Sequence, residues 1–214
     1  MLPQLACMGH ETIVEDGVIA GNYYNKYKTK NPIARLLTHR FLVAVEQLVK
    51  QIKPASIHEV GCGEGHLTTV LAHQAKQILA TDFSSQVVNH AKNNSQLKQA
   101  GVNFEVANVY DLQKAKHGAN LVVCCEVLEH LETPSLAMSK LIELADPYLL
   151  LSVPREPIWR MMNMARFKYW GALGNTPGHI QHWSKKSFLD FVGGYMNIIE
   201  VRTPLPWSIV LGKV

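Results

Sequence analysis

EVGCGEGHL, residues 59–67, joins a short apolar run at 57–60 to a second apolar run that begins at Leu67. Glycines stand at Gly61, Gly63 and Gly65, and an acid, Glu59, lies two residues before the first. A turn that leaves a strand needs glycine for two reasons. Some positions require positive φ, and others must let the backbone approach a ligand with no Cβ in the way. A dinucleotide fingerprint, G-x-G-x-x-G, would place its last glycine at His66. Glu59 at the strand end would repel a pyrophosphate and attract a cation. The turn therefore points away from nicotinamide nucleotides and toward a positively charged ligand.

Working outward, strand-like and helix-like stretches alternate. Ile33, Leu36, Leu37, Phe41, Val45, Leu48, Val49 and Ile52 recur at three- and four-residue steps, so a helix is expected from Pro32 until Pro54 stops it. Leu67, Val70, Leu71 and Ala75 predict a helix after the glycine turn. A second strand is expected at 78–81, ending in Asp82, then a helix capped by Ser84 and closed by Gly101. Strands follow at 102–107, 121–125 and 148–153, and Pro134 opens the helix between the last two. The fully apolar run at 121–125 suits a central parallel strand. Ser184 caps a last helix, and 198–201 with 207–211 predict a closing antiparallel hairpin. This order predicts an α/β fold with a mostly parallel seven-stranded sheet and helices on both faces. The regularity fails at 154–183, which reads as an insertion at the carboxyl end of a strand, where open sheets of this kind bind ligands. Residues 1–21 show no period and are expected to be flexible; 22–214 reads as one domain.

Composition narrows the classes. The 214 residues suffice for one domain with a small lid, and 47% hydrophobic content supplies a core. No apolar run reaches the length of a membrane span, and the first residues lack the basic and apolar regions of a secretory signal. Cys7, Cys62, Cys124 and Cys125 form no C-x-x-C pair, and neighbours 124 and 125 should face opposite sides of a strand. Free thiols in a cytoplasmic setting are expected. A net charge of +4 is too mild to argue for nucleic acid by itself.

With these motifs in order, the chain resembles the class I S-adenosylmethionine-dependent methyltransferases, from about Asn22 to the end. EVGCGEG is similar to the first motif of that family. Asp82, in ILATDFS, matches the acid that binds the ribose hydroxyls, and Phe83 would lie against the adenine. Asn108, in VANVYDL, stands where the family often has an acid near the adenine amine; its side chain can still accept from that amine. CCEVLEHLETP resembles the fourth motif of the branch that contains the ubiquinone-type small-molecule O-methyltransferases. The resemblance implies S-adenosylmethionine as cofactor and S-adenosylhomocysteine as product. Glu59, Gly61, Cys62, Gly63 and Gly65 would hold the methionine portion, with Asp82, Phe83, Asn108, Val109 and Cys125 around the rest. Tyr23, Tyr24 and Tyr27 precede the first long helix; related enzymes fold an aromatic N-terminal segment over the cofactor, and Tyr24 and Tyr27 are expected there.

Methyl transfer from a sulfonium is an in-line displacement on an already activated carbon, so holding the acceptor close and dry removes much of the barrier. A base adds roughly 10²–10⁴-fold where the acceptor must lose a proton. Glu126, Glu129, His130, His179 and His182 are the candidate bases. His130 comes first, because it follows the fourth strand at the carboxyl edge of the sheet; His179 and His182 lie in the insertion. Glu129 and His130 could equally tie the local loop. The H-x-x-H spacing of His179 and His182 offers only two ligands, so no metal is expected.

Charge is uneven along the chain. Lys26, Lys28, Lys30, Arg35 and Arg40 fall within 22–40 without an acid, and 155–186 holds six bases and one acid, Glu156. Residues 41–154 hold eight bases and eleven acids. The two basic segments should roof the acceptor site. An acceptor with carboxylate or phosphate, or peripheral contact with an anionic membrane, is expected. Trp159, Met161, Met162, Met164, Phe167, Tyr169 and Trp170 fit a bulky apolar acceptor or a lipid surface. O-methylation of a small or lipid-like molecule is the leading reading, and no nucleic-acid partner is expected. A macromolecule methyltransferase and a non-catalytic cofactor-binding regulator stand as rivals. Oligomeric state has no sequence signature here.

Overall fold

The computed structural model describes residues 13–15, 18–20 and 29–214. β1 (Ile13–Glu15) and β2 (Val18–Ala20) pair antiparallel in a small hairpin, regular structure that the aperiodic sequence did not announce. Tyr23, Tyr24, Tyr27 and Cys7 lie outside the described residues.

α1 (Pro32–Ile52) starts as expected. Asn31 accepts hydrogen bonds from the amides of Ile33 and Ala34, and Pro32 occupies the first turn, where no amide is missed. Such a cap stabilises a helix by about 1 kcal/mol. Phe41, Val45, Leu48 and Val49 are buried on one stripe, and Lys53 turns left-handed before Pro54.

The sheet is built from β3 (Ser56–Val60), β4 (Gln77–Asp82), β5 (Asn103–Val106), β6 (Ala119–Cys125), β7 (Ala145–Pro154), β8 (Asn197–Arg202) and β9 (Trp207–Lys213). Their order is β5-β4-β3-β6-β7-β9-β8. The first five run parallel; β9 is antiparallel to β7 and β8 to β9. The chain leaves β3 toward β4 and β5, then returns to place β6 on the other side of β3. That reversal makes a crevice at the carboxyl ends of β3 and β6.

Successive strand residues face opposite sides, and the core divides accordingly. Val122 and Cys124 of β6 pack with Ala137, Met138 and Leu141 of α6 (Pro134–Leu144) and with Phe188 and Val192 of α8 (Lys185–Gly193). Leu121, Val123 and Cys125 pack with α1 on the other face. The two neighbouring thiols thus point apart, and Cys62, Cys124 and Cys125 are free and buried.

Two helices differ from their expected lengths. The helix after the glycine turn is only α2 (Thr68–Leu71). The helix from Ser84 divides into α3 (Ser85–Lys92) and α4 (Ser95–Gln99), because Asn94 turns extended and caps α4 by accepting from the Gln96 amide. An asparagine pair offers side-chain oxygens that compete with the helix ladder. α5 (Lys114–His117) is one turn, and α7 (Ile158–Ala165) lies within the segment read as an insertion.

Candidate functional site

Gly61 has φ +78°, and a Cβ there would sit 2.2 Å from Val127 Cγ2. The turn can pass beneath the loop after β6 only with glycine. Gly65, at φ +80°, instead packs on Ala91 and Leu97, so it seats the turn on α3 and α4 and does not face the crevice. Asp82 holds the turn in shape. Its Oδ2 accepts from Gly63 N at 2.9 Å and its Oδ1 from Ser84 N at 3.1 Å. Behind them, His58 Nδ1 donates to the His117 carbonyl, so the neutral ring accepts the Thr81 hydroxyl at Nε2. Outside, Glu15 accepts from the Ser84 and Ser85 hydroxyls at the start of α3, tying the β1–β2 hairpin to the loop after Asp82.

The crevice is a cavity of about 780 Å³, ample for a nucleoside with an amino-acid arm and room beyond it. At one end are Glu59, the turn from Gly61 to Gly63, Asp82 and Phe83, with Asn108 and Val109 beside them. Glu59 is buried, and its Oε2 makes no hydrogen bond among the described residues. Burial pushes its carboxyl up to about 8, with the Thr68 hydroxyl opposing and Asp82 adding to the rise. Burial also raises Asp82, against the amides of Ser84 and Gly63. Two carboxyls pressed toward protonation form a site that a cation would relieve. Asn108 caps the turn after β5, accepting from Tyr110 N at 3.1 Å. Burial pushes the Cys62 and Cys125 thiols well up, so both act as apolar walls.

The other end lies past β6. Glu126 has φ +61°, a strained conformation for a side chain of its kind. Its carboxylate accepts from Trp207 Nε1 at 2.6 Å and from the Ser152 hydroxyl at 3.3 Å. His130 lines the same end with Leu131, Thr133, Leu136 and Ile180. The segment from Gly178 to Gln181 is laced onto this loop. Ile180 N and Gln181 N both donate to the Glu129 carbonyl, Gln181 Nε2 donates to the Leu131 carbonyl, and His130 Nδ1 donates to the Gly178 carbonyl.

That lacing brings His179 against His130, with ring centroids 4.8 Å apart and edge to face. Trp159 stacks on His179 with ring centroids 5.8 Å apart. His182 is not part of this group: it is exposed and bonds Asn175 Oδ1 at 2.9 Å. The fold therefore places His130 on the cavity wall, His179 behind it and His182 outside. Phe41, His66, Glu126 and Val127 also line the cavity. The sequence marked Glu126 only as one of several bases, and Val127 bore no signal at all.

These features define a class: an α/β fold with an acid-flanked glycine turn, a second-strand carboxylate and a cavity at the switch point is the class I methyltransferase fold. Residues 58–147 match the family model of a methyltransferase domain. Among its relatives, a ubiquinone biosynthesis O-methyltransferase of Coxiella burnetii is 24% identical over 147 residues, which cover 69% of this chain and 62% of the relative. A Xanthomonas axonopodis pv. citri enzyme of the same name is 30% identical over 108 residues, 49% of this chain and 45% of that one. The match thus spans less than two thirds of the relatives' length. Among solved structures, magnesium protoporphyrin IX methyltransferase from Synechocystis, crystallised with S-adenosylhomocysteine, superposes with a TM-score of 0.66 at 20% identity, covering 86% of this chain and 88% of that one. The methyltransferase domain of a bacterial Hen1 gives 0.63 at 19% identity, covering 83% and 100%. At these identities the structures show the shared fold.

Proposed function

We propose that the protein transfers a methyl group from S-adenosylmethionine to an oxygen of a small or lipid-like acceptor. The observation that carries this reading is one continuous cavity. It runs from two buried, cation-seeking carboxyls at Glu59 and Asp82 to the strained Glu126 and the His130 edge. The methionine arm lies along Glu59 and the glycine turn, the ribose against Asp82, and the adenine near Phe83, Asn108 and Val109. The methyl group then faces the far end. There the acceptor oxygen forms the new O–C bond while the S–C bond breaks. Sulfur keeps the bonding pair, and the acceptor proton leaves at the Glu129, His130 and His179 side.

The surroundings favour an anionic or membrane-held acceptor in the cytoplasm. Residues 157–189 contain Arg160, Arg166, Lys168, Lys185 and Lys186 and no acid. On the same segment Phe167 is 85% exposed and stacks on exposed Trp170, with Met161 and Leu173 also exposed. Bare aromatic groups on a segment rich in cations fit an anionic lipid surface. Among the described residues no helix is long and apolar enough to cross a membrane.

The test uses deuteromethyl-labelled S-adenosylmethionine with an extract of the source cells, read by mass spectrometry. A labelled small or lipid-like product that disappears with Asp82→Ala is expected. Label in protein or nucleic acid would replace this reading with the macromolecular one. Failure to bind S-adenosylhomocysteine would end it.

A further inference from the structure

The amino-acid arm of the methyl donor carries an ammonium and a carboxylate on the same carbon. Glu59 and Asp82 supply the negative charge that draws the ammonium. Glu64 stands close by and adds to the rise of Asp82 and of Cys62. That charge repels the carboxylate, so a hydrogen-bond donor must stand near Glu59 to receive it. We propose that His66 is that donor: its imidazole binds the carboxylate of the arm and so selects a ligand that bears both charges. The inference deepens the methyl-donor reading and rests on it for the identity of the ligand.

Two kinds of group could receive the carboxylate, and the amides of the glycine turn are the first. Four of them are spent on the turn itself. Gly61 N and Cys62 N donate to the Thr81 carbonyl at 2.8 and 3.0 Å, and Gly65 N donates to the Cys62 carbonyl at 2.9 Å. Gly63 N donates to Asp82 Oδ2 at 2.9 Å. An amide that left one of these bonds for a ligand would strand the acceptor behind it. Side chains are the second kind. Glu59, Asp82, Glu126 and Glu132 bring carboxyls to the cavity wall, and among the described residues no lysine or arginine lines it. The basic side chains there are His66 and His130. His130 stands at the far end, with Nδ1 on the Gly178 carbonyl. His66 is therefore the basic group at the donor end.

Its place on the chain fits the task. Thr68, two residues on, sets its hydroxyl against Glu59 and opposes the rise of that carboxyl, so the segment that carries His66 runs past the ammonium site. The backbone beneath the ring is fixed. The His66 carbonyl accepts the Thr69 hydroxyl at 2.7 Å, and Thr69 N donates to the Gly65 carbonyl at 3.1 Å. Gly65 is itself packed on Ala91 and Leu97. A half-buried ring on such a base has less freedom to lose when a ligand arrives. The neutral ring suffices: one N–H donates to a carboxylate oxygen, a charge-assisted hydrogen bond, and adds no proton to the binding step. Position 66 is where a dinucleotide turn has its last glycine. Here that position carries a donor for an amino-acid carboxylate instead.

Calorimetry with two unreactive ligands tests this. S-adenosylhomocysteine has both charges; its decarboxylated analogue keeps the ammonium alone. The wild-type protein should bind the first about 10- to 100-fold more tightly, the worth of a hydrogen bond to a charged group. His66→Phe keeps a ring and removes the donor. It should lower affinity for S-adenosylhomocysteine by about the same factor and affinity for the analogue by less than about twofold. His66→Gln restores an N–H donor and should fall between wild type and His66→Phe for S-adenosylhomocysteine. Binding of the analogue shows that each variant is folded. Equal wild-type affinity for the two ligands, an equal loss for both in His66→Phe, or no loss there for S-adenosylhomocysteine overturns the assignment. A wild-type protein that binds neither ligand would instead remove the methyl-donor reading beneath it.

Discussion

Replacing Glu59 with Gln should remove a proton from the binding of the methyl donor. Glu59 is 2% exposed, and burial, offset by Thr68 and reinforced by Asp82, sets its carboxyl at about 8. Below that pH the empty protein keeps the proton, and a ligand ammonium beside the carboxyl requires it to leave. Affinity should therefore rise about tenfold per pH unit up to about pH 8 and level off above it. Between about pH 6 and pH 8 the ionised fraction grows about 50-fold, or about 2.3 kcal/mol, and near pH 7 about 0.9 proton is released per ligand bound. The empty fold has the opposite trend, since a raised carboxyl withdraws stability as pH climbs from the unfolded value of 4.5 toward about 8. S-adenosylhomocysteine shares the ammonium and does not react, so calorimetry in buffers of different ionisation heat reads the proton count. Glu59→Gln should show neither release nor slope. Wild-type release below about 0.2 proton with a flat pH curve, or equal release in the variant, refutes the reasoning.

His58 gives a second pH effect with the opposite cause. Burial, with His117 adding and its carbonyl opposing, lowers the ring to about 4, so its protonation favours the unfolded chain between 6.5 and about 4. Stability to urea should fall by about 2 kcal/mol between about pH 7 and pH 5, and His58→Gln should lose most of that slope; an unchanged slope sinks the assignment. Gly61→Ala should destabilise by about 2–5 kcal/mol, from a side chain at φ +78° and the clash with Val127. Adding Val127→Ala should recover about 1 kcal/mol or more in thermal unfolding; strict additivity would deny the contact. Phe167→Ala with Trp170→Ala should lower sedimentation with anionic vesicles about tenfold while leaving S-adenosylhomocysteine binding intact. Equal binding of both proteins to the vesicles would rule out that surface.

Much of the architecture was legible because its causes are local. The apolar spacing from Ile33 to Ile52, the Asn31 and Ser84 caps and the apolar run of β6 each depend on neighbours within a few residues. The break between α3 and α4 was missed because a single period spans both, while Asn94 carries a competing cap. The donor end of the cavity was legible for a related reason. Glu59, Gly61 and Gly63 sit on one turn, and Asp82 closes on Gly63 through the neighbouring strand.

What the sequence determined alone, then, is the sheet, its helices and the acid-flanked turn, since strand alternation, helix period and glycine's positive φ are written over short spans. The tertiary structure alone decided the acceptor end. His179 meets Glu129 and His130 only because Gly178, Ile180 and Gln181 bond to a loop about fifty positions earlier, and His182, three residues on, turns to Asn175 instead. Glu126 takes its strained conformation between Ser152 and Trp207, which arrive from β7 and β9. Spacing along the chain holds no record of such closures. They are fixed by hydrogen bonds between segments that the sheet brings together after the local elements have formed.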